Sequence, residues 1–170
     1  MRVGQVGSPA PQTPLAPLRM HYRLYSPADF EPLYAIEELC FQPPLRFPRS
    51  YMRRVIDNPN STTWIADEED RMAGFAIVEW SGDPPDRFAY IQTLEIAAPY
   101  RRRGLARQLL LRLEDSAQKS AALTIWLHVD TENAPAIRLY EAHGYRQQGR
   151  EEHYYARHRA AYIYSKPLDS

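Results

Sequence analysis

The stretch that decides the fold is residues 94–107, which reads LEIAAPYRRRGLAR. Its first three residues end a run of β-branched and aromatic side chains typical of a strand, and an amphipathic helix begins at Gly104. A strand that leads through a basic, glycine-containing turn into a helix brings free backbone N–H groups and the positive end of the helix dipole together. The sequence therefore predicts a phosphate-binding site at this turn.

The turn differs from two common nucleotide-binding motifs. It has neither the Gly-Lys-Ser/Thr of an ATP-binding loop nor the full Gly-x-Gly-x-x-Gly of a dinucleotide site, which disfavours nucleoside triphosphates and NAD. Gly104 permits close approach of the backbone to a ligand, Ala106 adds little bulk, and the flanking arginines supply positive charge. Taken alone, the pattern is also compatible with a basic first helical turn that binds nothing.

Strand and helix patterns alternate along the rest of the chain. In order, they predict a strand at 21–25, a helix capped by Ser26, a short helix at 51–56, a hairpin of 62–67 and 72–80, a strand at 88–96, the helix from 104 to about 119, a strand at 123–129, a helix at 133–143 and closing strands. This order is typical of an α/β fold without internal repeats.

Length and composition narrow the class of protein. A chain of 170 residues corresponds to one domain with one sizeable core. Lys plus Arg and Asp plus Glu number 21 each, so no overall field attracts nucleic acid or an anionic membrane. The single cysteine, Cys40, excludes an intramolecular disulfide, and no apolar run approaches the ~18–20 residues of a membrane span. We expect a cytoplasmic protein that binds neither membrane nor nucleic acid.

The N-terminal segment differs in composition from the rest. Residues 9–17 contain four prolines, which removes backbone donors and favours extended, solvated conformers. We predict that residues 1–19 form a disordered tail and that residues 20–168 form the folded domain.

A second informative segment, residues 126–145, reads WLHVDTENAPAIRLYEAHGY. In their order and spacing, this segment and residues 94–107 resemble the GNAT superfamily of acyl-coenzyme A-dependent N-acetyltransferases, and within it the RimI-like ribosomal-protein-alanine N-acetyltransferases. The resemblance covers about residues 20–168. It implies a single-domain α/β GNAT fold, with a central mixed, mostly antiparallel sheet, a splayed central strand pair and flanking helices. It also implies acetyl-CoA as the acyl donor and no metal.

Carried over residue by residue, the resemblance implies where acetyl-CoA binds. The end of the third strand would hydrogen-bond the acetyl-pantetheine arm through its backbone, and the basic turn would cradle the pyrophosphate. The implied cofactor-binding residues are Leu94, Glu95, Ile96, Arg102, Arg103, Gly104, Leu105, Ala106, Arg107 and Asn133. Asn133 is equally suited to cap its helix, a role compatible with ligand contact.

Tyr140 matches the family's general acid. A phenol with a reference pKa of about 10 can protonate a departing thiolate with a reference pKa of about 8.5 as the tetrahedral intermediate collapses. The alternative is a core tyrosine on the apolar face of its helix.

His128 departs from the family pattern, which places a glutamate there as general base. For a histidine of ordinary pKa, deprotonation of an α-ammonium is uphill by about 2 kcal/mol, against about 5 kcal/mol for a lysine ammonium. We therefore predict that His128 deprotonates the acceptor, directly or through water. Alternatives are a sheet-surface histidine or a ligand-positioning role. Glu95 is the alternative base, although an exposed strand glutamate is the favoured interpretation.

These inferences predict an N-acetyltransferase that transfers acetyl from acetyl-CoA to a primary amine by direct attack, with a protein N-terminal α-amine as the favoured acceptor. Lysine, a polyamine or another small-molecule amine is the alternative acceptor. A catalytically silent acyl-CoA-binding sensor is a further alternative, favoured by the missing glutamate. The pair Tyr154-Tyr155 resembles tyrosines that face the peptide in RimI-like enzymes, or is half-buried scaffold. The sequence leaves the acceptor, the acyl-chain preference and the oligomeric state open.

Overall fold

The computed structural model describes residues 19–169, which contain one seven-stranded sheet and four α-helices. The strands are β1 (Met20–Leu24), β2 (Ser61–Glu68), β3 (Arg71–Ser81), β4 (Phe88–Ile96), β5 (Thr124–Asp130), β6 (Arg146–Ala156) and β7 (Arg159–Pro167). The helices are α1 (Phe30–Cys40), α2 (Arg49–Asp57), α3 (Leu105–Lys119) and α4 (Ala134–Ala142). None of these helices has the length and apolar character needed to cross a membrane. The predicted tail, residues 1–19, lies outside the described residues except for Arg19.

The sheet has the order β1-β2-β3-β4-β5-β7-β6, and every neighbouring pair is antiparallel except β4 and β5. These two parallel strands pair only from Phe88↔Thr124 to Tyr90↔Trp126. Beyond that point they diverge, and we call the resulting gap between residues 92–96 of β4 and 127–130 of β5 the seam. The expected mixed sheet with a splayed central strand pair is confirmed.

A β-bulge shapes β4 beside the seam. Thr93 pairs with Ile77 and Ile91 pairs with Val78, so Gln92 is an extra residue on β4. After the bulge, Leu94 packs against the core on the α3 side. Glu95 lies opposite Phe75, in the core beneath α1 and α2. The bulge therefore decides which side chains of β4 face each side of the sheet.

Helices cover both faces of the sheet, as predicted. On one face, Leu109, Leu110 and Leu113 of α3 are fully buried against the strands, which confirms the leucine stripe of this helix. On the other face, α1 and α2 cover β2, β3 and the start of the seam with a second core that includes Leu33 and Met52. Burial of each such side chain contributes about 1.5–3 kcal/mol. The two cores hold β4 between them and fix the position of the seam.

Candidate active site

A cavity of about 660 Å³ opens between the end of β4, the turn that follows it and α4. We call it the large cavity. It is lined by nine of the ten predicted cofactor-binding residues, namely Leu94, Glu95, Ile96, Arg102, Gly104, Leu105, Ala106, Arg107 and Asn133. Residues that are distant in sequence, from β4 to α4, are thus brought to one cavity.

The turn before α3 has the backbone geometry of an anion site. Gly104 has a φ of +82°, in the left-handed region, and a Cβ added there would meet no atom within 4 Å. Glycine is therefore required by the backbone conformation rather than by lack of space. The helical hydrogen bonds begin at Gln108, whose N–H donates to the Gly104 carbonyl at 3.2 Å. The N–H groups of residues 105–107 consequently remain available to a ligand.

The side chain of Arg103 differs from the expectation. Its guanidinium pairs with the buried carboxylate of Glu68 on β2 and lies over the Tyr100 ring, and it does not line the large cavity. The physical reason is that a buried carboxylate needs a cationic partner. Arg101, one of the flanking arginines expected to supply charge but not among the implied cofactor-binding residues, lines the cavity and donates to the Ile96 carbonyl at 2.9 Å.

The end of β4 offers free backbone groups to the large cavity. Because β5 pairs with β4 only as far as Tyr90, residues 92–96 have no partner strand on the seam side within the described chain. Backbone groups on such an edge are ready to bond a ligand. The large cavity therefore combines the backbone geometry of an anion site with a strand edge, an arrangement that suits an elongated ligand carrying a phosphate group.

Asn133 and Tyr140 bring α4 to the same cavity. The side-chain oxygen of Asn133 accepts a hydrogen bond from Ala136 N–H at 3.3 Å, so Asn133 caps α4 as the sequence suggested. Tyr140 is 7% exposed, and its ring packs edge-on against Tyr145 with centroids 5.4 Å apart. Burial raises the pKa of Tyr140, so its hydroxyl stays protonated at neutral pH and is able to donate.

A second, smaller pocket of about 100 Å³ lies next to the seam. Its lining includes His128, Glu37, Thr93 and Tyr155. Leu94, Asn133 and Tyr140 line both this small pocket and the large cavity. The two spaces therefore adjoin at the seam, and Tyr140 is the ionisable side chain shared by both.

His128 is fixed by contacts with three side chains. Its Nδ1 is 3.0 Å from the Tyr90 hydroxyl, its Nε2 is 3.0 Å from Glu151 Oε2, and its ring stacks on Tyr154. Its side chain is 10% exposed. Burial raises the pKa of Tyr90, so this phenol stays protonated, and it donates to Nδ1 in the imidazole tautomer that carries its proton on Nε2. A proton that arrives at Nδ1 gives an imidazolium paired with the Glu151 carboxylate.

Tyr90 and Glu151 were missed by the sequence analysis. Tyr90 of β4 pairs with Trp126 of β5, and Trp126 precedes His128 by two residues. Only the register of the two strands therefore reveals the contact between Tyr90 and His128. Glu151 belongs to β6, which reaches His128 across β7. The alternating aromatic residues Phe88 and Tyr90 at the start of β4 were a weak signal for Tyr90, and there was no signal for Glu151.

The expectation that Glu95 is an exposed strand residue is wrong. Glu95 is 3% exposed, and its Oε1 accepts a hydrogen bond from the Thr93 hydroxyl at 2.7 Å. Burial raises the pKa of Glu95 well above its ordinary value, and the neighbouring Glu37 raises it further. The bulge at Gln92 is the physical reason, because it directs Glu95 into the core beneath α1.

The fold and the site together define the class of protein. The chain belongs to the acetyltransferase (GNAT) family, whose model matches residues 30–145.

Individual relatives support this assignment. The chain is 35% identical to the ribosomal protein bS18-alanine N-acetyltransferase of Salmonella typhimurium over 103 residues, 59% of this chain and 67% of that enzyme. It is also 35% identical to the Escherichia coli (strain K12) enzyme of the same name over 88 residues, 52% of this chain and 57% of that enzyme. The match thus spans little more than half of the Escherichia coli enzyme.

A solved structure with a similar fold is Arabidopsis thaliana Naa50 in complex with the bisubstrate analogue CoA-Ac-MVNAL. The two structures superpose with a TM-score of 0.76 at 26% identity, over 86% of this chain and 97% of that one. That ligand joins coenzyme A through an acetyl group to a peptide.

Proposed function

We propose that this protein transfers the acetyl group of acetyl-CoA to the α-amino group of a protein or peptide N-terminus. The observation that carries the proposal is the pair of adjoining spaces at the seam. The large cavity ends in an anion site, and the small pocket contains a histidine held by two hydrogen bonds. The names of the bS18-alanine N-acetyltransferases and the peptide-linked ligand of Naa50 support the same acceptor.

The large cavity suits acetyl-CoA. The N–H groups of residues 105–107 and the guanidinium groups of Arg102 and Arg107 would bind the pyrophosphate. The free edge of residues 92–96 would bond the pantetheine arm and polarise the acetyl carbonyl, which gives the oxyanion of the tetrahedral intermediate hydrogen-bond donors.

His128 is the proposed proton acceptor. Both of its ring nitrogens are hydrogen-bonded, so the amine proton would reach Nδ1 through water and the Tyr90 hydroxyl, which lies outside both linings and accepts one proton as it gives up another. The carboxylate of Glu151 then stabilises the imidazolium. Because a histidine deprotonates an α-ammonium at a cost of about 2 kcal/mol, against about 5 kcal/mol for a lysine ammonium, this arrangement favours N-termini.

Tyr140 is the proposed proton donor to the leaving group. The amine nitrogen forms the new bond to the acetyl carbon, the carbon–sulfur bond breaks, and the phenol donates its proton to the departing thiolate. The position of Tyr140 in both linings supports this role. Burial raises its pKa, so the phenol is still protonated at neutral pH when the thiolate forms.

We extend the proposal to the domain organisation, with residues 20–168 as the acetyltransferase domain. β1 begins at Met20, and at the other end Leu168 is buried, with its N–H donating to the Leu123 carbonyl at 2.8 Å. Both ends therefore belong to the packed sheet. The free thiol of Cys40 suits a reducing compartment, and we propose the cytoplasm as the site of action.

Thiol release from acetyl-CoA tests the function. The acceptors are peptides beginning with Ala, Ser, Met or Thr, a lysine peptide with a blocked N-terminus, and spermidine. We expect release with one or more free N-termini and little with the blocked lysine peptide. Thiol release with the lysine peptide or spermidine alone would overturn the assignment of an N-terminal α-amine as the acceptor. Tight acetyl-CoA binding without release for any acceptor would overturn the enzymatic role in favour of an acyl-CoA sensor.

A further inference from the structure

Two buried glutamates meet beneath the seam. Glu37 of α1 is 1% exposed and Glu95 of β4 is 3% exposed. One oxygen of each is satisfied, because Glu37 Oε1 accepts from Phe47 N–H at 2.7 Å and Glu95 Oε1 accepts from the Thr93 hydroxyl at 2.7 Å. The Oε2 atoms of both are buried without a donor among the described residues. Glu37 is the neighbouring side chain that acts most strongly on the Glu95 carboxyl, through hydrogen bonding and through its charge, and both act to raise the Glu95 pKa.

Two adjacent buried carboxyl groups cannot both ionise at neutral pH, because like charges repel and burial removes the water that would screen them. No salt bridge to either residue occurs within residues 19–169. One proton between the two Oε2 atoms would satisfy both and leave a single negative charge. Burial raises the pKa of Glu95, and the hydrogen bond and charge of Glu37 raise it further, as such sharing requires.

The pair lies at the junction of the two spaces. Glu37 lines the small pocket together with His128 and Tyr140, whereas Glu95 lines the large cavity. The other titratable and charged groups that face this region are on α1, β5, β6 and the turn after β4. Burial raises the pKa values of Cys40 and Tyr155, Asp130 is paired with Arg159, and the Arg101 guanidinium lies 3.7 Å from Cys40 Sγ. The glutamate pair therefore supplies negative charge to this junction without a cationic partner of its own.

We propose that Glu37 and Glu95 share one proton and that their remaining negative charge holds the acceptor amine at the seam as an ammonium. The same charge stabilises the positive charge that develops on the nitrogen when it attacks the thioester. Both glutamates are positioning residues, since the proton leaves through Tyr90 and His128. This inference rests on the proposed function to the extent that the acceptor is an amine.

A purely structural role makes a different prediction. Glu37 anchors the loop after α1 through Phe47, whose carbonyl also accepts from the Tyr34 hydroxyl at 2.8 Å. Glutamine at position 37 keeps an acceptor for Phe47 N–H. Glutamine in place of either glutamate also offers an amide donor to the remaining carboxylate, so one charge persists. With glutamine at both positions, an amide–amide hydrogen bond persists and only the charge is lost.

The test is a double-mutant cycle with Glu37→Gln, Glu95→Gln and the double variant, and Glu38→Gln, an exposed neighbour on α1, as the control. We expect each single variant to raise the acceptor KM about twofold and the double variant to raise it on the order of tenfold, because only the double variant loses the charge. The KM for acetyl-CoA should change far less, and urea unfolding should show that the double variant is folded. If the fold increase in acceptor KM of the double variant is no greater than the product of the two single increases, the proposed role of the shared negative charge is overturned. So would a single variant as impaired as the double, which would indicate a catalytic proton instead.

The shared proton is measured independently of activity by carbon-13 NMR of the wild-type protein labelled at the glutamate carboxyls, with the Gln variants assigning the signals. One carboxyl of the pair should remain protonated at pH 7. Two ordinary titrations near pH 4 would overturn the sharing. A wild-type protein that acetylates no amine would overturn the proposed function and the role of the charge, while the NMR titration would still decide whether the pair shares a proton.

Discussion

The imidazole of His128 and the ring of Tyr154 lie face to face, with their centroids 4.0 Å apart and their planes 7° from parallel. The Tyr154 hydroxyl is also 3.4 Å from that of Tyr90, which contacts His128 Nδ1. The stack fixes the plane of the imidazole, and the contacts of Nδ1 and Nε2 fix its rotation within that plane. These contacts keep Nδ1 directed at the Tyr90 hydroxyl and Nε2 directed at Glu151, which is the orientation that the proposed proton transfer to Nδ1 needs.

Replacing His128 by alanine should lower kcat/KM for the acceptor by about 10²–10⁴-fold, the usual contribution of a general base. Acetyl-CoA binding should change little, because His128 does not line the large cavity. Steady-state rates between pH 6 and 9 measure the effect, and His21→Ala, at an exposed position on β1, is the control. An unchanged rate and pH profile would exclude His128 as the base.

Replacing Glu151 by glutamine should lower kcat about two- to fivefold, because the imidazolium loses a partly exposed ion-pair partner. The deficit should shrink at high salt, which screens the pair in the wild-type protein. The adjacent Glu152 pairs with Arg150 on the surface, so Glu152→Gln is a matched control that should leave kcat unchanged. Equal effects of the two substitutions would show that the contact with His128 is irrelevant to the rate.

Tyr140→Phe should lower kcat at least about 10²-fold while the protein stays folded, because only the donor hydroxyl is removed. Tyr145→Phe is the matched control, since this neighbouring ring carries a buried hydroxyl without a hydrogen-bond partner in the described structure. Single-turnover thiol release measures both variants. If Tyr140→Phe retains wild-type chemistry, the proton of the leaving thiol comes from elsewhere.

Gly104→Ala should destabilise the protein by about 1–2 kcal/mol, because an alanine at a φ of +82° is strained even where space is free. It should also raise the KM for acetyl-CoA severalfold, since the N–H groups of the next three residues depend on that conformation. Gly149→Ala on β6, where a Cβ makes an ordinary contact of 3.9 Å with Ile163, is the control. Urea unfolding and donor titration test the two effects separately.

Asp29→Asn should lower the free energy of unfolding by about 1 kcal/mol at pH 7. Hydrogen bonds from Arg23 and from the backbone N–H of Ser26 hold the pKa of Asp29 below its ordinary value. The native state thus binds fewer protons than the unfolded state between that lowered pKa and about pH 4, and this stabilisation is lost as the pH falls through that window. Urea unfolding at pH 7 and pH 3 should show a difference from wild type that shrinks in acid, with Asp70→Asn as the control. If the free energies of unfolding of wild type and Asp29→Asn differ by the same amount at pH 7 and pH 3, the effect comes from packing and not from the charge of Asp29.

The parts of the site that sequence predicted are local in the chain. The anion site is built from consecutive residues, so its strand, turn and helix were readable from residues 94–107 alone. Strand β4 has the predicted bounds, Phe88–Ile96, because turn residues precede it and Ala97-Ala98-Pro99 follows it. The leucine stripe of α3 is a repeating pattern along one helix, which sequence shows directly.

The parts that sequence missed depend on contacts between distant segments. Glu151 is 23 residues from His128 and reaches it only through the β5-β7-β6 order. The burial of Glu95 depends on a bulge whose position is set by pairing with β3. Helix α2 begins two residues before its predicted start, at Arg49, where the guanidinium packs over the rings of Phe30 and Tyr34. None of these features has a signature within its own stretch of chain.

The divergence of β4 and β5 after Tyr90 also decides the kinetic order of the reaction. In the proposed reaction, the donor lies in the large cavity and the acceptor in the small pocket, and these adjoining spaces can be filled at the same time. The proposed direct attack requires both to be bound at once, and we expect no acetylated form of the protein to accumulate. Initial-velocity plots at several fixed acceptor concentrations should therefore give intersecting rather than parallel lines.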